Sequence, residues 1–187
     1  MQHAYRNEAQ RRQWQNPERI LADIGVKAGD IFIDLACGSG FFAIPAARMI
    51  GSEGVVCGVD VDSEALEELR AQSAQARLNN IRFKLAAAEQ VALCEKCADI
   101  VFVGIALHDF KDPLMVLQNA RSALKPDGKL VNLDWKKAPT PFGPPVSIRF
   151  SETEAAALIT RAGYHVASIE DSGPYHYVMV ANPAQQL

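Results

Sequence analysis

Phe32-Ile33-Asp34-Leu35-Ala36-Cys37-Gly38-Ser39-Gly40-Phe41-Phe42 decides how this chain folds. An apolar run meets an acidic residue, breaks into Ala-x-Gly-x-Gly and restarts as an apolar helical pattern. That order describes a first parallel strand, a tight loop and the helix that follows it. The glycines have a chemical purpose. Without a Cβ the backbone takes positive φ and lets a bulky ligand lie against the main chain, while the next helix offers free N–H groups and the positive end of its dipole. The stretch therefore reads as a nucleotide-cofactor loop.

Working outward, Asn16-Pro17-Glu18 has a cap and a first-turn proline, and Gly25 closes the short helix that precedes the first strand. An alternation of elements then sets in. The patterns predict strands at 31–35, 55–59, 81–85, 100–105 and 130–135, with helices at 41–50, 63–78 and 113–124 and a turn at 125–128. Their apolar, mostly β-branched strands suit a sheet covered on both faces. Residues 138–145 carry four prolines and read as a stiff surface loop. Ser151-Glu152-Thr153-Glu154 is a capping box that opens a helix ending near Gly163. Two last strands, 166–170 and 175–181, are joined by only Asp171-Ser172-Gly173-Pro174, too short for a crossover, so they are expected to be antiparallel. The fold class is α/β: a doubly wound, mostly parallel sheet of seven strands with an antiparallel last strand.

The bulk properties set limits. With 187 residues and 49% hydrophobic content, the chain has the size of one domain, expected to span 16–187 behind an N-terminal segment, 1–15. Nineteen Lys and Arg against 22 Asp and Glu give no net attraction for nucleic acid or an anionic membrane. No apolar run approaches spanning length, so a cytoplasmic, soluble protein acting on a small molecule is expected, as a monomer or homodimer. Four cysteines, Cys37, Cys57, Cys94 and Cys97, are expected to be reduced thiols.

The loop alone leaves the cofactor open. Gly38-Ser39-Gly40-Phe41-Phe42-Ala43 also satisfies a G-x-G-x-x-A dinucleotide fingerprint, and Asp60 stands where an acidic residue binds a ribose. Three features weigh against a nicotinamide cofactor: the acidic Asp34 just before the turn, the lack of a second domain, and the antiparallel terminal hairpin. With Asp34-Leu35-Ala36-Cys37-Gly38-Ser39-Gly40, Gly58-Val59-Asp60-Val61-Asp62, Ala98-Asp99-Ile100-Val101 through Leu107-His108-Asp109-Phe110, and Leu124-Lys125-Pro126-Asp127-Gly128-Lys129-Leu130 in this order, the chain resembles the class I S-adenosylmethionine-dependent methyltransferases. The resemblance is greatest to the small-molecule group that includes the quinone-biosynthesis enzymes, and it covers the chain from Pro17 to Pro183.

That resemblance implies a Rossmann-like methyltransferase fold with S-adenosylmethionine across the carboxyl ends of strands one, two and four. It implies that Ala36, Gly38 and Gly40 pack against the methionine portion and that Asp34 meets its ammonium. Asp60 accepts from both ribose hydroxyls, as a carboxylate with two acceptor oxygens can, and Val61 lies against the adenine. Ala87-Ala88-Glu89 matches a place where the family carries Asp-Ala-Glu; Ala87 replaces the acid here, leaving the Ala88 N–H and Glu89 or a carbonyl for the adenine. Gly104, Ile105 and Ala106 face the methionine and the sulfonium.

Other residues have two readings each. His108 and Asp109 follow strand four on the edge where the reacting methyl lies, so they are either a general base or acceptor-orienting pair, or a polar pair organising the loop. Cys94-Glu95-Lys96-Cys97 is half a zinc pattern without a second half, so no metal is expected. Because no cysteine follows Cys97, the arsenite activity known in the resembling family is not expected. Trp135 reads as core more readily than ligand, and Lys136 and Lys137 as a solvated pair more readily than an anion clamp. The N-terminal segment is rich in Arg and aromatic residues, with Tyr5, Arg6, Arg11, Arg12 and Trp14; the resemblance implies that it closes over the cofactor as a lid, and it is expected to bury Trp14. Two other functions stay open beside a methyltransferase: an NAD(P)-dependent oxidoreductase and a non-catalytic S-adenosylmethionine-binding protein.

Overall fold

The first strand, β1, runs over Ile31–Leu35 and lies inside a seven-stranded sheet, beside its central strand, in a computed structural model that describes residues 11, 12 and 14–184. In chain order the helix α1 (Pro17–Asp23) leads into β1, and α2 (Ala43–Ile50) leads to β2 (Val55–Asp60). Next come α3 (Ser63–Gln75), β3 (Ile81–Leu85), β4 (Ala98–Gly104), α4 (Pro113–Ala123) and β5 (Leu124–Trp135). The chain finishes with α5 (Glu152–Arg161), β6 (Tyr164–Ser172) and β7 (His176–Pro183). The strand order is β3-β2-β1-β4-β5-β7-β6. The first five strands are parallel, and β7 is antiparallel to both β5 and β6, as the short link at 171–174 requires.

Two cores cover the sheet, one on each face. Phe32, Val56, Ile100, Phe102 and Val131 meet α1, α2 and α3 on one side. Ile33, Leu35, Val101, Val103 and Leu130, their neighbours in the pleat, meet α4 and α5 on the other. The helices begin where local chemistry starts them. Asn16, Asp62 and Asp112 each accept a backbone N–H of the helix they precede, and Ser151 and Glu154 close the predicted capping box. No side chain caps α2; its N-terminus follows the glycine turn and stands at the sheet's carboxyl edge.

Two expectations are corrected. Residues 125–128 are not a turn between helix and strand but a bulge inside β5. Ala98 pairs with Leu124 and Ile100 with Lys129, so the four residues between bulge out opposite Asp99. Asp99 holds the irregularity, accepting from Lys125 Nζ at 2.6 Å and from Ile31 N at 2.8 Å. Second, Cys94 and Cys97 form a disulfide rather than two thiols, leaving Cys37 and Cys57 free. The left-handed Lys96, with φ 47°, tightens this turn, and a Cα separation of 5.9 Å is within bridging range. Sequence spacing does not reveal that backbone reversal.

Among the described residues no helix is long and apolar enough to cross a membrane, and no cluster of three or more His, Cys, Asp or Glu side chains could hold a metal ion.

Candidate functional site

At the carboxyl ends of β1, β2, β4 and β5 the crossovers diverge to opposite faces of the sheet, opening a crevice between β1 and β4. A cavity of about 1070 Å³ fills it. Of the residues singled out from the sequence, Asp34, Ala36, Gly38, Asp60, Val61, Ala88, Glu89, Gly104, Ile105, His108 and Asp109 all line that cavity. Gly40 does not. It lies buried beneath the turn, where a Cβ would come within 2.3 Å of Leu69 on α3. Its smallness lets α3 approach; that of Gly38, whose Cβ position is open, leaves room for a ligand.

The floor of the cavity carries two acidic side chains, Asp34 and Asp60. Asp34, at the end of β1, is 2% exposed, and its Oδ2 is buried without a hydrogen-bond partner. Burial pushes its carboxyl up to about 8; Asp60 adds to the rise and Arg11 opposes it. Asp60, at the end of β2, ties the two loops together: its Oδ2 accepts from Gly38 N at 2.7 Å and its Oδ1 from Asp62 N at 2.9 Å. Each oxygen keeps a second lone pair for a hydroxyl. Beyond it Val61 is 70% exposed, an apolar side chain lining the rim of the cavity.

Strain marks the same rim. Ala36 and Ile105, at the ends of β1 and β4, have φ of 59° and 62°. The left-handed region is uncommon for alanine and an outlier for a β-branched residue. Both line the cavity. Ile105 is held there by its N–H bond to the Leu133 carbonyl at 2.7 Å.

The opposite wall is built from residues 86–90 and the polar turn after β4. Asn119 donates to the Ala88 and Glu89 carbonyls at 3.3 and 2.8 Å, fixing that loop. Glu89 Oε1 accepts from Lys111 N at 3.0 Å. His108 does not bond its neighbour Asp109, whose Oδ2 stands 3.7 Å from Nε2. It bonds Asp134 on β5 instead, with Nδ1 and Oδ1 2.8 Å apart. Burial alone would lower the proton affinity of His108, yet the hydrogen bond and charge of Asp134, with Asp109 adding and Arg149 opposing, raise it overall.

Sequence reasoning missed Asp134. It also missed the cavity-lining Phe41, Phe42, Gln90 and Pro144, whereas Arg11, expected in the N-terminal lid, lines the cavity as well. Phe41-Phe42 beside the glycine turn was a usable signal; nothing local to Asp134 was. Arg11 stacks on Phe41 with its guanidinium carbon 3.8 Å from the ring centroid. Trp135, expected as core, is fully buried and also lines the cavity. Lys136 and Lys137 pair with Asp171 and Glu154 at 2.8 Å each and do not line the cavity. Cys37 lines the wall as well, but burial first, then Asp34 and Asp60, push its thiol upward, so it offers no thiolate.

The N-terminal lid expected from the sequence falls largely on residues 1–10 and 13, outside the described residues. Trp14 is described: half-buried, it lies over an aromatic group, stacked on His176 at 5.1 Å and near Trp135, Phe142 and Tyr175 at 5.9, 5.2 and 6.3 Å.

Comparison with known proteins matches residues 26–167 to the family described as Methyltransferase domain. A curated relative, the demethylmenaquinone methyltransferase of Lactobacillus johnsonii, is 31% identical over 129 residues, 67% of this chain and 52% of the relative. The protein of the same name from Staphylococcus aureus strain MRSA252 is 28% identical over 66% of this chain and 51% of its own. This chain thus spans about half the length of the curated relatives it matches. Among solved structures, a SAM dependent methyltransferase from Aquifex aeolicus superposes with a TM-score of 0.87 at 27% identity, covering 91% of each chain.

Proposed function

Because this chain belongs to the methyltransferase domain family, we propose that it transfers the methyl group of S-adenosylmethionine to a small-molecule acceptor in the crevice above β1 and β4. S-adenosylmethionine is the cofactor this family implies, and the residues present fit it. The observation that carries the reading is the orphaned, buried Oδ2 of Asp34 at the cavity floor. A carboxylate held from water without a partner calls for a cation or a donor, and the ammonium of a methionine group supplies both. Asp60 offers the ribose its two free lone pairs, Val61 and the wall of Ala86, Ala87 and Ala88 offer the adenine an apolar surface, and Gly38 leaves the backbone open to the ligand.

When bound, the cofactor supplies an electrophilic methyl group on a sulfonium. The chain's part is to hold and to exclude. Gly104, Ile105 and Ala106 bring the end of β4 against the reacting end, and Trp135 and Phe110 give the acceptor side a water-excluding aromatic wall. Those rings support a flat aromatic acceptor of the quinol kind, in keeping with the names of the curated relatives. The slight net negative charge supports a protein without general attraction to nucleic acid or an anionic membrane.

Calorimetric titration with S-adenosylhomocysteine and, separately, NAD tests the cofactor. Binding of the first and none of the second is expected; binding of NAD alone overturns the reading and returns the oxidoreductase. Asp60→Ala is expected to weaken S-adenosylhomocysteine binding by about tenfold or more through lost charge-assisted hydrogen bonds. Unchanged affinity removes Asp60 from the site.

A further inference from the structure

The stretch from Ala86 to Cys97, which links β3 to β4, is anchored on α4 at both of its ends. At its start Asn119 of α4 donates to the Ala88 and Glu89 carbonyls, and residues 86–90 form a wall of the cavity. In its middle Val91 is buried in the core that α4 covers, and Lys84 Nζ donates to the Ala92 carbonyl. At its end the N–H groups of Lys96 and Cys97 donate to the Ser122 and Ala123 carbonyls at 3.0 and 2.9 Å, giving partners to two of the last carbonyls of α4. Asn119 and Ser122 are about one helical turn apart, so the wall and this end of the loop rest on the same part of α4.

The bridge between Cys94 and Cys97 closes the loop's far end. Cys94 is exposed and Cys97 half-buried, so the bridge lies at the surface. Its cysteines are only three positions apart, and closing so short a loop removes little freedom from the unfolded chain, so it does little as a staple. Between them Lys96 stands in the left-handed region at φ 47°, an uncommon backbone for a residue with a side chain. Exposed bridges are the labile ones. The other two cysteines do not compete, because burial pushes the thiols of Cys37 and Cys57 up and away from the reactive thiolate.

We propose that Cys94 and Cys97 are a thiol–disulfide exchange site for a dithiol reductant, and that the state of the bridge sets how firmly the 86–90 wall is held. A thiolate of the reductant attacks Cys94 Sγ, and the sulfur–sulfur electron pair leaves on Cys97 Sγ, which takes a proton. The reductant's second thiolate attacks the reductant's own sulfur in the mixed disulfide, and the pair leaves on Cys94 Sγ, which takes the second proton. The reductant departs as its disulfide, two electrons poorer. With the bridge open, Lys96 is free to leave its left-handed conformation, the two N–H bonds to α4 loosen, and the wall loses the far anchor of its loop. The bridged form then binds S-adenosylhomocysteine more tightly; this last step rests on the methyl-transfer reading, in which residues 86–88 face the adenine.

Three measurements on the full chain test this. Excess dithiothreitol without denaturant, followed by alkylation and peptide mapping, is expected to label Cys94 and Cys97 while the circular dichroism of the fold is unchanged, and oxidised glutathione is expected to restore the bridge. A bridge that opens only on unfolding, or that does not re-form, overturns the proposal. Hydrogen–deuterium exchange without any ligand is expected to be about tenfold faster across 86–97 in the reduced chain, with β1 unchanged. Equal rates at 86–90 in the two forms overturn the link to the wall. Calorimetric titration with S-adenosylhomocysteine is expected to give binding weaker by about threefold or more in the reduced chain, the cost of ordering a looser wall, and the same loss in the Cys94→Ser, Cys97→Ser double variant. Equal affinity of the oxidised and reduced wild type overturns the regulation. Failure of S-adenosylhomocysteine to bind either form refutes the methyl-transfer reading separately, because alkylation and deuterium uptake are read on the protein alone.

Discussion

Asp34 stands where a carboxylate is least comfortable, buried at the end of the interior strand β1 with one oxygen unpartnered. Its pKa, raised to about 8 from 3.8, means that the folded chain holds a proton there that the unfolded chain releases. The stabilising share of that proton is complete below the unfolded value and is lost as pH rises toward 8. Asp34→Asn lacks the titration. We expect its melting temperature to match the wild type near pH 4 and to exceed it by several degrees at pH 8, the difference being on the order of a few kcal/mol. Thermal melts across that range check it. Cofactor binding has the opposite dependence. An ammonium selects the ionised carboxylate, so affinity for S-adenosylhomocysteine should increase from pH 6 to 8 with release of a proton, seen as a buffer-dependent binding enthalpy. Asp34→Asn should lose both the affinity and the slope. The position of Asp34 was legible, since an acid before a glycine turn is a local pattern. Its protonation was not, because burial and the neighbouring Asp60 belong to the folded molecule.

At the scale of elements, the glycine turn divides its work between two residues that look alike in sequence. Gly40, with φ 98°, is closed in by Leu69 and Ile44, and Gly38, with φ 53°, opens on the cavity. Gly40→Ala should lower stability by roughly 2–4 kcal/mol through clash and left-handed strain. Gly38→Ala should cost only about 1 kcal/mol, yet weaken S-adenosylhomocysteine binding more than Gly40→Ala does in whatever fraction stays folded. Denaturant titration beside calorimetry separates the two effects. The loop after β5 is ordered by a residue that composition would place on the surface. Arg149 is 3% exposed and donates to the carbonyls of Lys136, Ala138 and Pro144 and to Thr140 Oγ1. Its guanidinium carbon lies 4.9 Å from the Trp135 ring centroid. Arg149→Met strands those carbonyls, each costing about 1–3 kcal/mol if left dry. The expected result is rapid proteolytic cleavage within 138–148 under conditions where the wild type is intact. The loop itself was legible from its prolines. The peg that orders it was not, because a lone arginine has no sequence signature of burial.

Across the whole molecule, the sheet's carboxyl edge is closed by parts distant in the chain. Trp14, the 138–145 loop and the β6–β7 hairpin meet in one aromatic group, with Trp14 touching Phe142 and His176. His176 is kept neutral there: burial, with Arg11, Arg149 and Lys136 adding, lowers its pKa to about 3. Trp14→Ala is expected to destabilise by about 2 kcal/mol, less than a fully buried tryptophan because Trp14 keeps some exposure, which is about 4–8 °C for a chain of this size. Differential scanning calorimetry with and without S-adenosylhomocysteine measures it. At 100 times its dissociation constant the ligand should add about 2.7 kcal/mol to either protein, and a smaller increment in Trp14→Ala at the same ligand concentration would show that this closure also serves the cofactor.

The alternation of strands and helices, the glycine turn and its flanking acids, the capping box and the antiparallel end could all be read from the chain's local patterns. Each depends on residues within a few positions of one another, where periodicity, φ preference and link length act directly. It took the assembled fold to hydrogen-bond His108 to Asp134 rather than to Asp109, to bridge Cys94 and Cys97, to pack Gly40 while Gly38 opens, and to bury Asp34 with its Oδ2 unpartnered. Those facts depend on which strand ends converge and on how much water their convergence removes, and side-chain proximity and local dielectric exist only once the sheet is assembled.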